Sequence, residues 1–184
     1  ACEEMIEKGQ VDIGIYTTPI MSPHIEYVPL EKDQLILVGN RNSAILQGKD
    51  LTGNSVDNPL VLEAAELRGK DVRFVCSTPN HSMHYSELAF FKRNGIAPED
   101  PVYVDYIDFR YAIACSGKGF MLSPVISTTT VDVIPPVYCV VRGDAMYRHI
   151  AIARRRGARL CRAAEIYWET MIEANFSGRQ DPNR

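Results

Sequence analysis

The sequence has no apolar run approaching the roughly 20 residues that a membrane-spanning helix requires, and no charged-then-apolar leader at its start. The 184 residues carry a net charge of only −3, so the basic excess of a protein that binds duplex nucleic acid is absent. The densest basic segment, Arg154-Arg155-Arg156, is too short for a phosphate track and is interpreted as a solvated turn. We therefore expect no membrane partner and no nucleic-acid contact by this chain itself.

The cysteines also lack the patterns that indicate disulfides or metals. There are five of them, an odd number, and they form no CxxC pair and no zinc-ligand spacing. Free cysteine in apolar surroundings behaves as a small hydrophobic residue, and this usage fits a reducing compartment, so we expect a cytoplasmic protein. The five residues are Cys2, Cys76, Cys115, Cys139 and Cys161.

No catalytic set is recognisable either. The sequence contains no G-x-S-x-G motif, no nucleophile with a neighbouring base and no glycine-rich phosphate loop, and Gly117-x-Gly119 is too short for a dinucleotide fingerprint. His81 and His84 form an H-x-x-H pair, but no cysteine or carboxylate completes a metal set. The sequence therefore predicts no enzyme activity, no cofactor and no metal site.

What the sequence does contain is an alternation of short apolar runs with amphipathic, helix-like segments. Residues 60–67, "LVLEAAEL", are interpreted as a short helix or turn, and 40–59 as a loop. This alternation favours an α/β fold with largely parallel sheets. The predicted strands cover 11–15, 25–30, 34–39, 72–76, 101–105, 120–126, 137–141 and 149–153, and the predicted helices cover 1–8, a segment ending at Asn94, 109–116 and 159–175.

The elements divide into two lobes. Residues 72–126 read as strand–helix–strand–helix–strand, which is enough for a small sheet, and the elements on either side must form the other lobe together. We predict lobe I from 1–37 plus 137–176, lobe II from 38–136, and a polar tail at 177–184. Two such lobes imply a cleft, and ligands of open α/β sheets bind beyond the carboxyl ends of the strands.

The stretch "VRFVCSTPNHSMHYSELAFFKRNG", residues 72–95, places hydroxyls between a strand and a helix start. Helix N-termini expose N–H groups and favour anions, and no acidic residue occurs in this loop before Glu87. We expect a small anionic ligand here, whereas the alternative is that Asn80 or Ser82 simply caps the helix. The candidate residues are Ser77, Thr78, Asn80, His81 and Ser82.

Further candidates follow other predicted strands. Thr17 and Thr18 end the first strand, with a plain turn before Pro19 as the alternative. Tyr106 and Phe109 follow 101–105 and form either an apolar wall for a ligand ring or ordinary core, and Asp108 is expected to be the N-cap of the next helix. Ser123 ends the last strand of lobe II.

Four segments, in order along almost the whole chain, resemble the effector domain of LysR-type transcriptional regulators. "KGQVDIGI" is similar to that family's helix end and following strand, and "IEYVPLEKDQLILVGNRNSAI" to its next paired strands. "VDYIDFRYAIACSGKGFMLSPVI" resembles its strand, helix, G-x-G and strand-Pro run, and "RRRGARLCRAAEIYWETMI" its C-terminal helix.

The resemblance implies a two-lobed periplasmic-binding-protein-like (type 2) fold that lacks its first strand and helix. It implies a ligand-sensing domain that binds a small effector in the inter-lobe cleft and controls DNA binding by an absent N-terminal helix-turn-helix, as a homodimer or homotetramer. The alternatives are a stand-alone solute-binding protein of the same fold and an enzyme on the same scaffold. A leader peptide in the open reading frame would favour the solute-binding protein, and an upstream helix-turn-helix would favour the regulator.

Overall fold

The computed structural model describes residues 2–79, 81–127 and 135–178, and it divides the chain into two compact units. Unit 1 comprises 1–33 and 148–184, and unit 2 comprises 34–147. The sequence predicted the boundaries at 37/38 and 136/137 instead. The segment 137–147 groups with unit 2 because its strand pairs with two other strands of that unit.

Unit 1 contains the helix α1 (Cys2–Glu7), the strands β1 (Ile13–Thr17) and β8 (Tyr147–Arg155), the first part of β2 (Ile25–Asn40), and α4 (Arg162–Gly178). β1 pairs antiparallel with β8, from Ile13 opposite Arg154 to Thr17 opposite Ile150. Ile6 of α1 packs with Ile25 and Ala153 in a small core. A Cβ at residue 14 would lie 2.8 Å from Cδ1 of Ile6, so glycine at this position leaves room for the tip of the Ile6 side chain of α1.

Ionic and aromatic contacts link α4 and β8 to the start of β2. The Arg154 guanidinium lies 4.3 Å from the centre of the Trp168 ring, and its Nε donates to Oε1 of Glu26 at 2.6 Å. Arg148 pairs with Asp33 at 2.7 Å, with both side chains about nine-tenths buried. The buried Trp168 side chain of α4 thus packs against Arg154 of β8, which also pairs with Glu26 of β2.

Unit 2 is built on the second half of β2, which lies between β6 (Met121–Pro124) and β7 (Pro136–Val141) and is antiparallel to both. β3 (Leu60–Leu62) pairs parallel with β7, and β4 (Val75–Cys76) pairs parallel with β5 (Val102–Tyr103). The expectation of largely parallel sheets is therefore wrong. The parallel pairs described, β3 with β7 and β4 with β5, join strands that are separated by a long connection, whereas β2 runs antiparallel to both of its neighbours in this sheet.

The helices α2 (Ser82–Asn94) and α3 (Ile107–Cys115) cover this sheet with separate apolar clusters. Phe90 and Phe91 of α2 pack into the larger cluster, and Phe74 meets the Phe91 ring edge-on at 4.9 Å. α2 ends at Gly95 in the left-handed conformation with φ of 61°, the C-terminal stop expected from the sequence.

Two predicted elements differ from the observed ones. The runs 25–30 and 34–39 form one strand of 16 residues, because Glu31, Lys32 and Asp33 continue the extended backbone with their side chains at the surface or paired. Residues 60–67 form β3 followed by a 3₁₀ turn (Ala64–Arg68), in which Glu63 and Glu66 complete a capping box. No helix among the described residues is long and apolar enough to cross a membrane.

Candidate functional site

The loop that follows β4 contains Ser77, whose side chain is completely buried. Its backbone N–H donates to both carboxylate oxygens of Glu87, at 3.2 and 2.9 Å, and its hydroxyl donates to Oε1 at 3.1 Å. Glu87 lies on the second turn of α2, so its side chain folds back to the strand end. The donors that a ligand would meet at Ser77 are therefore already satisfied by a carboxylate of the protein.

Arg110 of α3 completes this buried network. Its Nη1 lies 3.0 Å from Oε1 of Glu87 and also donates to the Ser77 hydroxyl, and the two charged side chains are only 1% and 2% exposed. Burial raises the pKa of Glu87, and the Ser77 N–H and the Arg110 charge oppose that rise. The pair joins three elements: the end of β4, α2 and α3.

Thr78, the next residue, is half-buried and its hydroxyl donates to Oδ1 of Asp105. Asp105 follows β5 and is exposed. The expectation that this loop lacks nearby negative charge is therefore wrong, because Glu87 contacts Ser77 and Asp105 contacts Thr78. Both carboxylates come from segments that are distant in sequence, ten residues away for Glu87 and 27 residues away for Asp105.

The N-cap of α2 is His81, and neither sequence-predicted capping residue has that role. The Nδ1 atom of His81 accepts from the Met83 N–H at 3.2 Å. Ser82 is the first helical residue and is exposed, and Asn80 lies outside the described residues. His84 contacts the Ser77 carbonyl at 3.1 Å, and among the described residues no cluster of three metal-ligating side chains occurs.

At the start of α3, two aromatic side chains project into solvent. Tyr106 is 71% exposed and Phe109 63% exposed, and their ring centres are 6.1 Å apart at 78°. This exposure contradicts the interpretation of either ring as core. Tyr106 occupies the N-cap position without a side-chain cap bond, so the expectation that Asp108 caps α3 is wrong; Asp108 lies one residue inside the first turn.

The remaining predicted site residues lie elsewhere. Thr17 and Thr18 are at the end of β1 in unit 1, where Thr18 exchanges hydrogen bonds with the backbone of His149 at 2.8 and 2.9 Å. Ser123 is completely buried in β6, and its hydroxyl donates to the Pro124 carbonyl at 3.2 Å. In unit 2 the structure thus brings together Thr78, His81 and Ser82 beside β4, and Tyr106 and Phe109 at α3.

Sequence reasoning missed three residues around this loop. Glu87 and Arg110 are fully buried charges, which only a tertiary partner explains, and neither has a local pattern that marks it. Ser86 is 6% exposed, and its hydroxyl has no partner among the described residues. Ser86 lies four residues after Ser82 on α2, and residues four apart share a helix face. The sequence alone could therefore have identified Ser86 as a neighbour of the candidate residue Ser82.

The chain matches the family model described as the LysR substrate binding domain over residues 1–175. Three solved structures are similar to this chain at 14–19% identity, and at such identities their likeness shows the fold alone. No curated protein matches significantly. The structures are the effector-binding domain of QuiR in complex with shikimate (14% identity, TM-score 0.73, covering 95% of this chain and 76% of that one), the BenM effector-binding domain with benzoate (19%, 0.66, 98% and 77%), and full-length CbnR complexed with its target DNA (17%, 0.64, 94% and 55%).

Proposed function

This chain belongs to the LysR substrate-binding domain family and has its type 2 periplasmic-binding-protein-like fold, and we propose that it is the effector-sensing part of a cytoplasmic transcriptional regulator. The observation that carries the proposal is the family match over residues 1–175. Structural neighbours of the same fold hold small molecules, shikimate in one and benzoate in another. A ligand that binds one conformation more tightly than another biases the equilibrium between them, and a sensor needs no chemistry beyond that.

The DNA-binding element of the proposed regulator is a helix-turn-helix outside this chain, and the working form is a homodimer or homotetramer. The structure of full-length CbnR with its target DNA supports DNA binding through a segment outside this chain, since this chain covers 55% of that protein. The net charge of −3 also favours DNA contact through another segment. In this proposal the domain has no catalytic activity of its own.

The proposed effector is a small organic acid that also carries a hydroxyl group. The Thr78 hydroxyl already donates to the Asp105 carboxylate, so the ligand group that meets this pair must be a hydrogen-bond donor. An anionic group fits the start of α2, beside His81 and Ser82, where the helix N-terminus favours negative charge. The exposed rings of Tyr106 and Phe109 offer an apolar wall.

The other proposed effector residues have different roles. The Thr18 backbone N–H donates to the His149 carbonyl and its Oγ1 accepts from the His149 N–H, so we propose that Thr18 meets the effector only through its own hydroxyl proton. Thr17 contributes a hydroxyl that is buried and has no partner among the described residues, which a ligand or a water would satisfy. Ser77 and Ser123 are fully buried, so we propose that they support the site from behind, and Asn80 stays a proposed contact.

A thermal-shift screen of small organic acids on the intact protein tests the function. An effector that binds only the folded state raises the melting temperature, by an amount that grows with its concentration above Kd. The screen includes matched pairs, hydroxylated and dehydroxylated, such as shikimate against cyclohex-1-enecarboxylate and 4-hydroxybenzoate against benzoate. We expect stabilisation by at least one hydroxylated acid, and weaker stabilisation by its partner. Turnover of a stabilising acid by the purified protein would overturn the proposal of a pure sensor.

A further inference from the structure

We propose that Glu87 and Arg110 are positioning residues of the effector site: their buried ion pair holds the loop after β4 and the start of α3 in the arrangement that the effector meets. The inference rests on the proposed function. The pair is internal to unit 2, so it acts within that unit.

The Glu87–Arg110 pair connects three segments of unit 2. Ser77 precedes Thr78, Glu87 lies on the helix that begins with Ser82, and Arg110 follows Phe109 directly. The Glu87 carboxylate binds the Ser77 N–H and hydroxyl, and one Arg110 nitrogen reaches both Glu87 and Ser77. Each segment of unit 2 that carries a proposed effector contact is therefore tied to the other two through a single cluster.

Two fully buried charges are an unusual way to fill the space between α2 and α3. Glutamate and arginine are almost never fully buried unless they are paired, and replacing a buried ion pair by apolar residues of similar volume is often neutral or stabilising. The side chains here are 1% and 2% exposed. Apolar packing between α2 and α3 would supply cohesion, but it would not fix the Ser77 N–H and hydroxyl in one direction. Directional bonds orient the chain at Ser77 and hence the neighbouring Thr78.

The contact between Thr78 and Asp105 lies next to this cluster, because Thr78 follows Ser77 directly. Thr78 meets the Asp105 carboxylate, and Asp105 precedes Tyr106 at the start of α3. The Thr78–Asp105 bond is on the exposed side of the same junction that Glu87 and Arg110 join from the buried side. If the buried bonds loosen, the loop at Thr78 and the start of α3 separate, and the donor-binding pair opens.

Hydrogen exchange followed by mass spectrometry on the intact protein tests the inference without a ligand. In Arg110→Met we expect exchange in segments 75–79 and 105–109 to accelerate at least tenfold more than in β7, which belongs to the same unit. Arg110→Lys retains a positive donor, and we expect it to restore most of the protection at 75–79. The matched control is Arg148→Met, which removes a nine-tenths buried ion pair of unit 1 and should leave 75–79 unchanged.

Uniform acceleration of exchange across unit 2 in both Arg110 variants would overturn the inference, because it would show that the pair stabilises the whole unit and does not position the loop after β4. If Arg110→Met does not fold, Arg110→Lys and Glu87→Gln carry the comparison: local acceleration at 75–79 supports positioning, and uniform or absent acceleration refutes it. A screen of organic acids that finds no ligand would count against the proposed function alone, since the exchange comparison does not depend on it.

Discussion

Removal of the Arg110 guanidinium should destabilise unit 2 strongly, and by an amount that depends on pH. Arg110→Met leaves the Glu87 carboxylate buried without its cation, and breaking a buried pair on one side costs about 3–5 kcal/mol. Glu87 retains the Ser77 N–H and hydroxyl, at 2.9 and 3.1 Å, so the lower half of that range is expected. Apolar replacement of both charges, as in Glu87→Leu with Arg110→Met, should cost less than the sum of the single changes.

The sign of the pH dependence follows from the raised pKa of Glu87, which burial causes. A carboxyl that holds its proton more tightly in the folded state adds to the free energy of unfolding. Its contribution is complete below the unfolded pKa of about 4.5 and is lost as the pH rises through the folded pKa. Loss of Arg110 removes an interaction that lowers this pKa. The destabilisation caused by Arg110→Met should therefore be small near pH 5 and grow towards pH 7.5.

Urea unfolding at pH 5.5 and 7.5, followed by far-ultraviolet circular dichroism, measures both effects. Trp168 fluorescence serves as the internal control, because the only tryptophan lies in unit 1 and reports unfolding there. The m-value must stay constant for a shift in midpoint to be a change in stability. If Arg110→Met lowers the free energy of unfolding by less than about 1 kcal/mol, and equally at the two pH values, the assignment of Glu87 as a charged partner of Arg110 is refuted.

Three further outcomes are expected. Thr78→Val should weaken effector binding roughly two- to tenfold by titration calorimetry, because the Thr78 hydroxyl already donates to Asp105 and offers the effector only a neutral acceptor, a bond that contributes about 0.5–1.5 kcal/mol. Gly119→Ala should destabilise by about 1–3 kcal/mol in urea unfolding because its Cβ would lie 2.8 Å from the Arg73 carbonyl oxygen, whereas Gly69→Ala, with nothing nearer than 3.7 Å, is the neutral control. With a thiol reagent at pH 7.5, two exposed cysteines should react quickly and three buried ones slowly, and reaction of all five at one rate in folded protein would contradict this. The fast residues are Cys2 and Cys161, and the slow ones are Cys76 and Cys139, whose pKa values burial raises to about 12, and Cys115, with a pKa of about 11.

The elements that sequence reasoning located well are those with local signals. Gly95 in the left-handed conformation ends α2 where the Asn-Gly pair predicted, and the apolar spacing of α4 places Trp168 on its buried face. Strand pairing is not a local property. The continuation of β2 through the charged residues 31–33, and its antiparallel entry between β6 and β7, depend on partners more than 80 residues away.

The candidate site shows the same limit at the level of single side chains. Local sequence identified the hydroxyls after β4 and the helix that follows them, and both are present at the predicted place. An N–H group at a strand end is available to a ligand only if no other group of the protein already accepts its hydrogen bond. Glu87 reaches it because a glutamate on the second turn of α2 points back towards the helix N-terminus, as long side chains in helices do. Arg110 then makes burial of that carboxylate tolerable. In the proposed site, the selection of an effector in unit 2 therefore falls to Thr78 and Asp105, and we propose that the fixed position of that pair depends on the Glu87 and Arg110 charges, which the ligand does not touch.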